Sequence, residues 1–416
     1  MNRSLVSDCA TGATDRAPTW KVSPADGKYY LNAVAVSADG ARVLGGTFYH
    51  HYEKSELRRA PGASAATPPA APASAPAPQT PSPEDGTFGV YCYNAAGQPE
   101  WKDEFAGWQG VYWVALSANG ARAAAGGFIS ATAPQGFLRA YDATSGRLVL
   151  SRSTQQRVNQ VALSADGTWL VSAAETLLLF RYDAAAGSYV QTDEFVPEGN
   201  DGVVSAAISA DGATVLYAGY SGHIGAFANQ AGKLSLRARW KVPGGQPTDF
   251  CHMLELTPDG QTFVAGGANG TFYYSDVATF IASGAPAYAS TTNVRGAVYG
   301  VAIAGDGSLY AGVFNRGAAG DAWVNPRPGA GAGVARHFAL EHNPNSAALN
   351  AAHRLFAVAD GHPDGTPGCF YLFDTATGAL RWQCPTGNMS WPIVIAANGR
   401  AVVGGSDDSF LYYFAL

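Results

Sequence analysis

Few residues in this chain combine type and spacing in a way that could do chemistry. His50, His51 and Glu53 offer three metal-ligating side chains, but adjacent residues on a strand point to opposite faces, so the histidines read as the solvated start of a loop. Asp360-Gly-His362-Pro-Asp364-Gly puts two carboxylates and an imidazole in one turn, a set that could suit calcium, although Asp-Gly and Pro are equally ordinary turn chemistry. Serines ahead of Asp-Gly or Asn-Gly pairs (Ser37, Ser117, Ser164, Ser209) read as turn caps and not as nucleophiles. A more coherent set is Asn32, Tyr112, Asn159, Val204, His252, Tyr299, Asn345 and Trp391, each seven residues before a recurring turn. With Arg157, Arg295, Trp108 and Trp113 close by, such a ring could hold a polar ligand by stacking and hydrogen bonding. The alternative is that the same residues satisfy strand ends around a water-filled channel.

The elements that would position this ring come from a repeat. Ser37-Ala-Asp39-Gly40, Ser117-Ala-Asn119-Gly120, Ser164-Ala-Asp166-Gly167, Ser209-Ala-Asp211-Gly212, Thr257-Pro-Asp259-Gly260, Ala304-Gly-Asp306-Gly307 and Ala396-Ala-Asn398-Gly399 align, with a degenerate copy at Asn350-Ala-Ala352-His353. The intervals between third positions are 80, 47, 45, 48, 47, 46 and 46, and a low-complexity insertion at about residues 54–86 accounts for the first. Each turn follows a strand with apolar residues at alternate positions, such as Val114 and Leu116, and Asp-Gly between apolar runs signals a hairpin through its tolerance of positive φ. The second strand often ends in Gly-Gly or Ala-Gly, where neighbouring sheets approach closely; a third carries aromatics, and a fourth often carries a tryptophan. A four-stranded unit of this length cannot bury both faces alone, so units must stack radially. The expected fold is all-β: a single eight-bladed β-propeller over residues 19–416 behind a tail over 1–18, with seven blades as the fallback because the copy at Asn350 is weak. The chain stops after a third strand, and Trp20-Lys21-Val22 matches the fourth-strand segment Trp240-Lys241-Val242. An N-terminal strand is therefore expected to complete the last blade.

Phe373-Asp374-Thr-Ala-Thr377-Gly378-Ala-Leu-Arg-Trp382, followed by Gly404-Gly405-Ser-Asp-Asp408-Ser-Phe-Leu411-Tyr412, resembles the repeat of quinoprotein-type propellers that bind pyrroloquinoline quinone, and of their non-catalytic relatives. The Asp-Gly turn is also similar to that of WD40-type repeats, although the chain has no Trp-Asp dipeptide. The resemblance implies the fold and argues against a quinoprotein dehydrogenase, since those enzymes carry adjacent cysteines at the cofactor and calcium beside a catalytic carboxylate. No cofactor and no metal are expected.

Bulk properties exclude other classes. A net charge of −6, with Lys and Arg scattered singly, offers no basic stripe for nucleic acid. No apolar run is long enough for a membrane helix or a secretion signal, so a cytoplasmic protein is expected, or a periplasmic one if the true N-terminus carries a signal not present here. The five cysteines are dispersed; a hairpin pairing Asp374 with Ala379 would place Cys369 opposite Cys384, as a bridge or as two thiols.

Long second-to-third-strand loops are expected in repeats one (Tyr49 to Asp85), two (Ser130 to Gln135), six (Asn315 to Val334) and seven (Asp360 to Pro367), forming a crescent opposite a plain Asp-Gly face. Trp108, Trp323 and His362 are the partner-binding loop candidates, and Pro61 to Pro83 reads as a mobile tether. Trp20, Trp101, Trp240 and Trp382 read as inter-blade packing. The leading reading is a non-catalytic scaffold, monomeric alone, that binds a protein or peptide through the long-loop face. The alternative is a small-ligand binder or enzyme using the channel mouth.

Overall fold

The computed structural model describes residues 14–27, 29–48, 87–106, 108, 110–129, 135–242, 251–291, 297–315, 319–329, 335–361 and 367–416. Among them, 32 strands run as consecutive antiparallel meanders of four. Hydrogen bonding gives seven sheets: six have four strands, and the eight-stranded one joins the first two meanders through a single bridge, Phe48 to Gly110. The first strands are Tyr30–Val36, Gly110–Leu116, Gln160–Leu163, Val203–Ile208, Cys251–Leu256, Val298–Ile303, Pro344–Asn350 and Ser390–Ile395. Each packs on the next and the last packs on the first, so the meanders close into a ring around these strands. The core lies between neighbouring sheets, where Gly-Gly pairs permit close approach: a Cβ on Gly126 would lie 2.2 Å from Val158 Cγ1, and one on Gly266 2.5 Å from Val298 Cγ1.

The ring is sealed as its ends suggest. Trp20–Val22 pairs antiparallel with the last strand, Leu411–Ala415, setting Trp20 opposite Tyr413 with ring centroids 4.9 Å apart and parallel. The indole continues into the next meander, donating to Ala95 O at 2.9 Å, and Trp101 repeats the contact on Ala143 O at 2.7 Å. Trp382 stacks on Phe414 of the last meander at 4.6 Å. The expected tail is not free throughout: Arg16 N–H donates to Gln383 O at 2.8 Å, so the N-terminal segment ties the last two meanders together.

The recurring turn is built differently from the expectation that Asp and Asn supply positive φ. Only the glycine takes it, at 73° in Gly40 and 68° in Gly399. Asp39 serves instead as an acceptor, from Ala41 N–H at 3.0 Å and the Ser37 hydroxyl at 2.6 Å, while Ser37 Oγ accepts from Arg42 N–H at 3.0 Å. Successive turns are stitched by backbone bonds: Asn398 N to Ala38 O, Ala38 N to Ala118 O, Asn119 N to Ala165 O, Ala165 N to Ala210 O and Ala210 N to Pro258 O. Pro258 has no N–H to extend the run. At the degenerate copy, Ala351–His353 forms a 3-10 turn capped by the Asn350 side chain.

Three other expectations are corrected. The Asp-Gly face is not plain, because helix α1, Val277–Ser283, sits in the third-to-fourth connection of the fifth meander and anchors by Val277 N to Gln261 O at 2.8 Å. Val277 and Phe280, one turn apart, are its buried residues, a stripe too short to read as helix in the sequence. In the sixth meander the long loop from Asn315 to Val334 does not exist, since Gly320–Pro326 is its third strand. Flanking glycines masked the buried alternate positions Ala322 and Val324. Cys369 and Cys384 are not opposite one another. Asp374 N does bond Ala379 O, but a bulge beyond Phe373 shifts the register, so Cys384 faces Phe370 and Cys369 faces Pro385. The two thiols join different core clusters and are free. Among the described residues no helix is long and apolar enough to cross a membrane.

Candidate functional site

The ring singled out in the sequence coincides with a structural irregularity. In six of the first strands the ladder slips at the position in question, so that the register passes over Asn32, Tyr112, Val204, His252, Tyr299 or Asn345 as the extra, bulged residue; in the last, Trp391 and Pro392 are both passed over. Asn159 stands just before its strand, donating its N–H to Ala173 O at 2.7 Å. Such bulges re-aim side chains.

Where the asparagines aim bears on the two readings of the ring. Asn32 Nδ2 donates to Val111 O and Tyr112 O, both at 3.3 Å; Asn159 Nδ2 donates to Val203 O at 2.7 Å; Asn345 Nδ2 donates to Ser390 O at 3.0 Å. Each amide thus reaches the next first strand, beside that strand's own bulge, and satisfies a carbonyl that the slipped ladder leaves over. All three are buried. They bracket neighbouring meanders with their amide nitrogens, although Asn32 and Asn345 also border the central cavity. Other first-strand edges are served similarly: the Ser205 hydroxyl donates to Gln160 Oε1, which also accepts from Ala206 N–H at 3.0 Å, and Ser205 Oγ accepts from Leu254 N–H at 3.1 Å.

Arg157 is likewise built in. Its guanidinium lies 4.1 Å from the Tyr112 ring centre and 4.9 Å from that of Phe128, and it donates from Nε to Asn159 Oδ1 at 2.6 Å and from Nη2 to Tyr220 Oη at 3.2 Å. At 5% exposure it braces three meanders and is no cation source for the channel mouth. Trp108, in a fourth-to-first connection, packs between Phe105 at 4.6 Å and Phe137 at 4.8 Å under the Arg139 guanidinium. Trp323 is on a strand and not on a loop, stacked on His337 at 4.2 Å. Arg295, His362, Asp364, His50, His51, Glu53, Cys9, the proline-rich segment and the His252 and Cys251 side chains lie outside the described residues. Asp360 ends a second strand and accepts from Cys369 N–H at 2.7 Å and Tyr371 Oη at 3.0 Å; burial pushes its carboxyl up to about 6, against the pull of these donors and His342. Among the described residues no three His, Cys, Asp or Glu side chains converge in a metal-binding group.

What does face the channel is a smaller set. A cavity of about 90 Å³ runs down its centre, lined at the bulge level by Asn32, Tyr299, Asn345 and Trp391, next by Trp113 and Met253, and farther along the strands by Glu255. A wider vestibule of about 550 Å³ opens on the turn side, and Glu255 lines that as well. Ile303 N–H, from the adjacent strand, donates to Glu255 Oε2 at 3.0 Å. Protein surrounds the carboxyl except along the channel, which leaves the residue partly accessible, and this burial pushes it up to about 7, the Ile303 donor pulling the other way.

Glu255 was not among the candidates, yet the repeat marks it. Four residues before the turn position stand Ala35, Ala115, Ala162, Ala207, Glu255, Ala302, Ala348 and Val394. A lone carboxylate in a layer of alanines was the available signal.

A closed ring of four-stranded meanders about a central channel is a β-propeller. Its solved likenesses include Sqt1 of Saccharomyces cerevisiae, with TM-score 0.66 and 11% identity over 97% of this chain and 100% of that one. Sqt1 of Chaetomium thermophilum is similar at TM-score 0.68 and 13% identity over 94% and 96% of the two chains. The same Chaetomium protein, bound to the N-terminus of ribosomal protein L10, gives TM-score 0.67 and 13% identity over 94% and 98%. At such identity the likeness shows the propeller fold alone, and it lends the quinoprotein-type resemblance no support. No protein-family model and no curated protein sequence matches the chain.

Proposed function

We propose that this chain is an eight-bladed propeller that binds a protein or peptide segment on the face carrying its second-to-third and fourth-to-first connections. The eight-stranded sheet counts as two blades, because one bridge alone joins its two meanders. The observation that carries the reading is the engagement of Asn32, Asn159, Asn345 and Arg157 in inter-meander bonds. With these residues consumed by the scaffold, the mouth is a slot of about 90 Å³, well below the ~300 Å³ at which small-molecule pockets begin, inside a rim set by the ends of the first strands. A rim of that kind suits an extended or folded segment whose contacts spread over several blades. Sqt1 holding the N-terminus of ribosomal protein L10 offers a precedent on the same fold.

The test is hydrogen exchange on the chain purified from its own host with whatever protein co-purifies, before and after that protein is stripped. Protection is expected in the connections after residues 48, 106 and 360 and at the mouth. Protection confined to the Asp-Gly turn face would contradict the assignment. A retained small molecule, with no protein, would favour the alternative ligand site at Tyr299 and Trp391.

A further inference from the structure

Glu255 is the one position in its layer where the fold does without alanine or valine, and a buried carboxylate destabilises a structure that alanine would serve. Its Oε2 is occupied by Ile303 N–H, while the described residues supply no hydrogen-bond donor to Oε1. Among the described residues lining the loop-side cavity it is the only charged one, and Asp306, lining the vestibule, is the other carboxylate nearby. On the loop side of Glu255 the wall holds three aromatic side chains, Trp113, Tyr299 and Trp391, with Met253. Ring faces attract cations, most strongly where water is excluded. A divalent metal would require several oxygen ligands where the bore offers one unpaired carboxylate oxygen, and an anion would meet a like charge. The volume of about 90 Å³ holds several waters and gives room for a charged head on a thin aliphatic stem.

We propose that the loop-side bore accepts the ammonium head of a single lysine side chain carried by the partner, with Glu255 as counter-ion and Trp113, Tyr299 and Trp391 as ring walls. The apolar pleats formed by Val34, Val114, Val301 and Ile393 lie against the methylene stem. A cation in the bore also reverses the penalty that holds the carboxyl near neutrality, so loading favours its ionised form. Only the source of the lysine rests on the peptide-binding function; the cation preference of the bore does not.

Ligand-observed NMR on the full chain with n-butylammonium chloride, using n-butanol as the neutral isostere, tests the pocket. The wild type should bind n-butylammonium saturably and n-butanol at least tenfold more weakly. Glu255→Gln, which keeps an acceptor for Ile303, should lose at least tenfold affinity for the cation, and Trp113→Ala severalfold. Equal binding by wild type and Glu255→Gln, absence of saturable binding, or displacement by stoichiometric calcium chloride would each overturn the proposal. Glu255→Ala, carrying the residue of the sibling repeats, provides a second folded variant. A partner mapped to the loop face that binds Glu255→Gln undiminished would overturn lysine insertion and leave peptide binding standing. Specific n-butylammonium binding without any partner protecting that face would instead defeat the peptide-binding reading.

Discussion

Two layers of the same first strands behave oppositely. At the bulge level, polar side chains recur from repeat to repeat and are spent on the scaffold, as Asn32, Asn159 and Asn345 show by bonding the backbone of the next strand. At the alanine level, the fold asks only for small residues, and the single exception, Glu255, keeps one oxygen toward the channel. In a repeat protein, then, a polar residue that recurs signals a structural debt shared by the units that carry it, whereas a residue that breaks the repeat signals something the fold did not require.

The contrast can be strained first at the ring itself. Removing residues 1–22 deletes the strand that covers Leu411–Ala415 and the stacked Trp20, so urea unfolding should show a loss of about 4–6 kcal/mol or outright aggregation, from lost Trp burial and three paired residues. Asn159→Ala should cost about 3 kcal/mol, because it removes the 2.7 Å bond to Val203 O and strips the buried Arg157 of its 2.6 Å acceptor. Asn32→Ala should cost about 1 kcal/mol by the same measurement, its amide being shared between two acceptors at 3.3 Å. If Asn32→Ala proved the more damaging, bracket strength would not follow hydrogen-bond geometry. Smallest should be Trp20→Phe, which keeps the stack on Tyr413 and loses the bond to Ala95 O, for about 0.5–1 kcal/mol in thermal unfolding.

The architecture could be read from the sequence because its signals are local and repeated: the Ser-Ala-Asp-Gly turn, the period-two strands and the Trp20-Lys-Val segment that pairs with Leu411–Tyr413. The ring of positions seven before the turn was also visible, and each falls at a bulge or strand start, but a side chain's direction at a bulge depends on the neighbouring sheet and cannot be taken from strand alternation. That is why Arg157 looked like a channel cation when it lies under Tyr112. Trp323 was misplaced for a related reason, glycines on either side of Gly320–Pro326 outweighing its own alternation. The one-residue slip that separates Cys369 from Cys384 arises within the hairpin and not at its turn, where the sequence is informative. Glu255 belongs to no recurring polar set and is legible only as a departure from its layer of small residues.

Urea unfolding of Asn159→Ala and Glu255→Ala beside the wild type, from pH 4.5 to pH 8, tests that distinction most directly. Glu255 has its carboxyl raised to about 7 in the folded chain, so the native state binds the extra proton and wild-type stability falls as pH climbs from about 4.5 through 7. Glu255→Ala should therefore be more stable than the wild type at pH 8, by on the order of 2 kcal/mol, with the gain vanishing near pH 4.5. Asn159→Ala should be less stable at both. A Glu255→Ala protein that is destabilised at pH 8, as Asn159→Ala is, would make Glu255 one more bracket and contradict the account.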